Sequence, residues 1–188
     1  MLCLCKASKF VKLITMSKKR FNEMNCAVAQ SLEAIGDWWS LLIIREALFG
    51  TTRFSDFSKI LGISTNILTN RLAHLVEHEI LQRVDIGADG KRYEYRLTRK
   101  GASLGTAILA LQQWSDRWIC GKGNEPVVLF DAESGAQIPQ LSLKNADGTP
   151  YNSSNIVAKA GPGANDATRR RYEAVPSPWK IFPENSDK

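Results

Sequence analysis

The sequence predicts a mainly α-helical domain with a small β-hairpin, followed by a tail that carries some β-structure. Three observations predict it. From Cys26 to about Cys120, apolar residues recur at helical spacing between clear stop signals. Late in that stretch, two short runs rich in Tyr, Val, Ile and Arg flank a loop containing Asp89-Gly90, a pair that favours a tight hairpin turn. After Gly121 the helical periodicity disappears, and Gly, Pro, Asn, Asp and Ser become frequent.

The elements follow in order. Ala27–Ile35 reads as a short helix closed by Gly36-Asp37. Ser40 is a capping residue for a second helix, Leu41–Phe49, which Gly50 ends. This helix is apolar almost all round and so belongs at the centre of the core. A third helix spans Phe54–Leu61, with Phe54, Phe57, Ile60 and Leu61 on one face and Gly62 as its stop. Ser64 caps a fourth, Thr65–His78, whose apolar face is Leu68, Leu72, Leu75 and Val76. Strands Ile80–Ile86 and Arg92–Leu97 enclose the loop Gly87–Lys91. Thr98 then caps a long last helix reaching about Trp118, with Leu104, Ile108, Leu111, Ser115 and Trp118 at spacings of four and three. So small a domain leaves little core for a terminal helix to cover, and this stripe points to a partner subunit. Two helices joined at Gly62-Ile63 and followed by a basic-tipped hairpin describe a winged helix-turn-helix.

Domain organisation follows: an N-terminal arm (1–23), the winged helix-turn-helix (24–120) and a C-terminal extension (121–188). Residues 1–15 are basic and apolar, but Lys6, Lys9 and Lys12 interrupt any signal-peptide core. The arm reads as disordered, or as the product of a start upstream of Met16; an amphipathic surface helix is the other reading. In the extension, Glu125–Asp131 and Ala136–Leu143 look like a hairpin about Ala132–Gly135, Asn145–Pro150 looks like another turn, and 159–188, with Arg169-Arg170-Arg171, reads as flexible.

Composition bounds the function. The 188 residues carry 25 basic against 19 acidic side chains, net +6, a mild bias towards polyanions. The four cysteines, Cys3, Cys5, Cys26 and Cys120, form no CxxC pair, which argues against a metal ribbon and fits a reducing, cytoplasmic compartment. The longest apolar run, near Leu41–Ile44, is far short of the roughly 20 residues a membrane span needs. Enzyme chemistry finds little footing. The two histidines, His74 and His78, have no nucleophile motif beside them, and no phosphate-binding glycine loop occurs. His74, His78 and Glu77 share one helix side but lack the signature of a further metal ligand. No metal and no cofactor is expected from these residues, and nothing in them identifies which small molecule, if any, acts as an effector.

DNA contact finds more support. A reading helix needs one apolar face to anchor it and short polar side chains opposite. On the fourth helix that outer face carries Asn66, Asn70, Ala73, His74 and Glu77. The first turns supply the base-contact candidates Thr65, Asn66, Thr69 and Asn70; Arg71 flanks them, and the helix start at Ser64 suits a phosphate. At the hairpin tip Lys91 and Arg92 are placed for phosphate or minor groove, with Tyr93, Tyr95 and Leu97 packing inward. Arg53, before the third helix, is a further phosphate candidate. The competing reading is a winged helix whose outer face and hairpin bind a protein. Trp38, Trp39, Trp114 and Trp118 would line either a small effector pocket between subunits or simply core.

These residues resemble the HxlR family of winged-helix proteins, related to the MarR regulators. The resemblance rests on Cys26-Ala27-Val28, Ile35-Gly36-Asp37-Trp38-Trp39-Ser40-Leu41-Leu42, Arg53-Phe54-Ser55-Asp56-Phe57 and Leu61-Gly62-Ile63-Ser64-Thr65-Asn66-Ile67-Leu68-Thr69-Asn70-Arg71-Leu72. Tyr93-Glu94-Tyr95-Arg96-Leu97-Thr98-Arg99-Lys100-Gly101 and Trp114-Ser115-Asp116-Arg117-Trp118 continue it, covering about residues 24–120. It implies a bacterial homodimer, joined through the first and last helices, that binds a pseudo-palindromic operator in double-stranded DNA, more often as a repressor. It also implies that the cysteine at position 26 senses oxidants or electrophiles in some members. Here Ala27 stands where those members have Pro, and a half-buried structural thiol is the alternative reading.

Overall fold

The computed structural model describes residues 21–87, 92–151, 156–173 and 177–178. A single 3₁₀ turn, Phe21–Glu23, leads into α1 (Ala27–Ile35), α2 (Trp38–Leu48), α3 (Phe54–Leu61) and α4 (Thr65–Glu77). Strands β1 (Leu81–Asp85) and β2 (Tyr93–Leu97) follow, then α5 (Arg99–Ala102) and α6 (Gly105–Ser115), which runs into a π-helical turn, Asp116–Cys120. Beyond Gly121 lie β3 (Val157–Ala158), α7 (Asp166–Glu173) and β4 (Ser177–Pro178). The fold is mostly helical with a small antiparallel sheet, as the sequence predicts.

The core forms where the apolar stripes meet. Ile43 and Ile44 of α2, Phe57 of α3, Leu68, Leu72 and Leu75 of α4, and Leu81 of β1 are all buried, with Ile63 and Ile80 closing the joints. Transfer of such side chains from water stabilises the fold by about 1.5–3 kcal/mol each. Trp39, Tyr95, Leu97, Leu104 and Ile108 pack on this cluster from outside.

Several local details depart from the sequence reading. Helix α2 starts earlier: Asp37, not Ser40, is its cap, accepting from the Trp39 N–H at 3.0 Å. Ser40 is buried inside the helix. Ile60 lies exposed, because the buried face of α3 turns on Phe57. The last helix is not continuous. Thr98 caps it as expected, accepting from the Gly101 N–H, but the Leu104 N–H bonds to Gly101 three residues back, and this tightened turn separates α5 from α6. Gly101 is required here, since a side chain would collide with the Ile80 carbonyl and Leu97.

The hairpin holds the register Leu81↔Leu97 through Asp85↔Tyr93. An unforeseen edge joins it: the Tyr95 N–H donates to the Thr52 carbonyl at 2.7 Å, and Arg53 bridges Glu94. In the extension, Phe130 pairs with Gln137 and Lys144 with Pro150, so both expected turns are present but with single bridges in place of full strands. Arg169–Arg171 lie on α7, where flexible chain was expected; Asn165 supplies the start by accepting from the Thr168 N–H. The arm at 1–20 and hairpin-tip residue Lys91 lie outside the described residues.

Candidate nucleic-acid interface

The joint between α3 and α4 fixes the angle at which α4 is presented. Gly62 adopts a left-handed conformation (φ 61°), and its N–H bonds to the Ser58 carbonyl. The Ser58 hydroxyl donates to the Ile63 carbonyl, and Ile63 is buried beneath the turn. Ser64 then caps α4, its hydroxyl accepting from the Ile67 N–H at 3.4 Å.

With Leu68, Leu72 and Leu75 fully buried, the opposite side of α4 must face solvent, and Thr65, Asn66, Thr69, Asn70, Ala73 and Glu77 are exposed. Their hydrogen-bonding capacity differs. The Thr69 hydroxyl donates to the Thr65 carbonyl at 2.8 Å, so it offers a ligand an acceptor and a methyl group rather than a donor. The Ser64 oxygen is occupied as an acceptor, but its own proton is free to meet a phosphate. Among the described residues, the amides of Asn66 and Asn70 bond to nothing else in the chain.

One expected outer-face residue, His74, and the flanking Arg71 turn inward. The His74 Nε2 lies 3.1 Å from the Glu33 carbonyl of α1, and its ring meets that of His78 edge-on at 4.4 Å. Arg71 is half-buried, its Nε 3.4 Å from the Asp37 carboxylate that caps α2. Asp37 therefore ties the start of α2 to α4, a link the sequence reading missed.

Cations flank this face. Arg53 is exposed, with its Nε 3.9 Å from Glu94. Arg96 donates to the same Glu94 from Nε and Nη2 at 3.0 and 2.8 Å. Arg92 is exposed at the foot of the wing. Tyr93 does not pack inward with Tyr95 and Leu97; it sits beyond the core's edge, and the Arg83 guanidinium lies over its ring at 3.7 Å. Arg53, Ser55, Arg92 and Tyr93 line an open cleft of about 840 Å³ between α3 and the wing. Glu94 was not singled out from the sequence, although its placement between Tyr93 and Tyr95 beside Arg96 was visible.

Cys26 is exposed, immediately before α1. Trp39 packs on the core, while Trp38, Trp114 and Trp118 are exposed. Among the described residues, no cluster of His, Cys, Asp or Glu is arranged to hold a metal, and no helix is long and apolar enough to cross a membrane.

Comparison with known proteins bears on the same residues. The HxlR-like helix-turn-helix family model matches residues 34–122. An uncharacterized HTH-type transcriptional regulator of Mycobacterium tuberculosis is 36% identical over 137 residues, 73% of this chain and 87% of that protein. Its match is too long to fit within residues 1–122, so the likeness continues into the extension. The crystal structure of PA1607, a candidate transcription factor, superposes with a TM-score of 0.67 at 38% identity, covering 74% of this chain and 98% of that one. PA1374 of Pseudomonas aeruginosa, also a candidate transcription factor, gives 0.56 at 36%, covering 78% and 99%.

Proposed function

The chain belongs to the HxlR-like helix-turn-helix family of transcriptional regulators, and we propose that it works as a cytoplasmic homodimeric repressor, reading a pseudo-palindromic operator with one α4 per half-site. One observation carries this reading. The polar face of α4, opposite its buried leucines, presents Asn66 and Asn70 without internal partners. Asparagine pairs in bidentate fashion with adenine in the major groove, each such contact discriminating by about 1–3 kcal/mol. Thr65 and Thr69 would complete the base contacts, Thr69 through a thymine methyl. Ser64, Arg53, Arg92 and Lys91 would hold phosphates, and Arg71 would act through Asp37 to position the helix.

The dimer is supported by apolar side chains left uncovered on the first and last helices. Val28 and Leu32 stand one turn apart on α1, with Trp114, Trp118 and Ile119 along α6 and its π-turn. Val28 and Ile119 are each 69% exposed, a poor state for such residues in a lone subunit. Two reading helices about 34 Å apart would span successive major grooves and cover a promoter they overlap.

The test is fluorescence anisotropy at roughly physiological salt, with the chain's own upstream DNA and a scrambled duplex. Discrimination of about a thousandfold is expected. An Asn66→Ala/Asn70→Ala double variant should lose most of it while melting like wild type. Equal, weak, salt-labile binding to both duplexes by the wild type would overturn base reading by α4 and favour a winged helix that serves a protein partner.

A further inference from the structure

A cavity of about 570 Å³ lies away from the reading face, between α2, α6 with its π-turn, and the first residues of the extension. Its walls are mostly apolar: Leu42 from α2 and Phe49 just past its end, Ile108 and Leu111 from α6, and Val127 from the extension. The volume falls within the roughly 300–1,000 Å³ typical of small-molecule sites. We propose that this cavity binds a small, mostly apolar molecule carrying one hydrogen-bond-donating group, such as an aromatic amine or alcohol.

The polar groups in the wall define that chemistry. Glu46 is buried, and its carboxylate accepts from the Arg45 Nε at 2.9 Å, so the one cation in the wall is already engaged. Asp116 adds a second carboxylate. A carboxylate accepts hydrogen bonds, so an occupant that reaches Glu46 or Asp116 does so best with a donor. An anionic ligand would meet two carboxylates against a single paired arginine.

The wall is constructed rather than left over from loose packing. In the π-turn the Gly121 N–H bonds to the Asp116 carbonyl at 2.9 Å, and the same five-residue step brings Ser115 and Cys120 side by side, 3.9 Å apart, on the cavity wall. Such turns recur at functional sites. The extension wall is fixed by α6 itself, where the Gln112 Nε2 donates to the Val127 carbonyl at 2.9 Å. The cavity also reaches Phe49, at the end of α2, and the following segment carries Thr52 and Arg53 into the wing. An occupant would therefore lie against the residue from which this segment begins, although binding itself does not depend on the DNA-reading proposal.

The probe is N-phenyl-1-naphthylamine, an uncharged apolar aromatic amine, titrated by fluorescence into the full-length chain without DNA. Saturable enhancement with one site per chain is expected. Val127→Trp, which fills the cavity from its half-exposed rim, should weaken binding by about tenfold or more. Val157→Trp, an equally exposed position outside the cavity, should leave it unchanged, and matching circular dichroism will show that both variants are folded. Equal probe affinity in Val127→Trp and wild type would overturn the proposal. So would stoichiometry that falls as protein concentration rises, because a second copy of the chain would then be filling the space.

Discussion

The winged-helix part and the extension are held together by different physics. Every buried apolar side chain among the described residues lies between Ala29 and Leu81, and all but Ala29 belong to one contiguous cluster. From residue 122 onward no described residue is buried, and Val128, Phe130, Leu141, Leu143 and Tyr151 are exposed. The extension is fastened by polar brackets. Gln113 both donates to the Pro139 carbonyl at 3.0 Å and accepts from the Leu141 N–H at 2.7 Å. Asn25 donates to the Gly163 carbonyl and accepts from the Asn165 N–H, both at 3.0 Å. A hydrophobic cluster unfolds as a unit, whereas brackets worth about 0.5–1.5 kcal/mol each can open singly. The first region should therefore melt cooperatively, and the second should loosen locally.

The largest expected effect tests the cooperative half. Phe57→Ala removes a fully buried ring at the meeting of α2, α3 and α4 and should cost about 3–5 kcal/mol in denaturant unfolding. Loss of under about 1 kcal/mol would mean the cluster tolerates a void and is less tightly packed than its burial indicates. A smaller loss is expected at the joint between α2 and α4. Asp37→Ala deletes the α2 cap, at about 0.5–2 kcal/mol, and also frees Arg71. Affinity for the operator proposed above should then fall by more than the change in melting alone explains, because α4 loses its ionic tie to α2. Unchanged affinity would limit Asp37 to capping.

Smaller still, Gln113→Ala cuts both brackets at once. Global stability should shift by less than about 1.5 kcal/mol. Proteolysis between residues 122 and 165 should speed up several-fold, while the winged-helix fragment persists. Equal protection of both regions would show that the extension unfolds together with the core.

The same contrast explains what was legible in the sequence. Helices α1, α3 and α4 were readable because apolar spacing and punctuation agree there, down to Gly62, whose left-handed backbone the stop signal anticipated. The start of α2 was ambiguous because Asp37 and Ser40 are both capping types, and only the folded chain shows which one meets a free N–H. Helix α7 has no apolar stripe at all (Asp166-Ala-Thr-Arg-Arg-Arg-Tyr-Glu173), so periodicity gave no sign of it; Asn165 was its only written signal. The break between α5 and α6 and the π-turn at Asp116 arise from close approach to the hairpin root and from the helix end, neither of which spacing encodes. In the candidate site, the outward Asn66 and Asn70 were legible by opposition to the leucines. The inward turns of His74 and Arg71 were not, because their partners, Glu33 and Asp37, are distant in sequence.

The smallest expected effect isolates the extension from the core by pH alone. The Ser134 hydroxyl and backbone N–H both donate to the Asp131 carboxylate, at 2.6 and 2.7 Å, and hold its pKa below the ordinary aspartate value. Asp147 is lowered in the same way by the Thr149 hydroxyl and N–H. A carboxylate depressed in the folded state stabilises its turn fully above its unfolded pKa, and that stabilisation is lost as pH falls through the lower folded value. Both turns should thus hold through neutral and mildly acidic solution and open only below the usual aspartate range. The readout is amide exchange at Ser134 and Thr149, compared with that at Leu72. Acidification into that range should lower the protection factors of the first two and leave Leu72 protected, and Asp131→Ala, which removes the accepting oxygen, should leave Ser134 unprotected at every pH. If Ser134 and Leu72 lost protection together, the brackets would be part of the cooperative unit, and the division drawn between the two regions would fail.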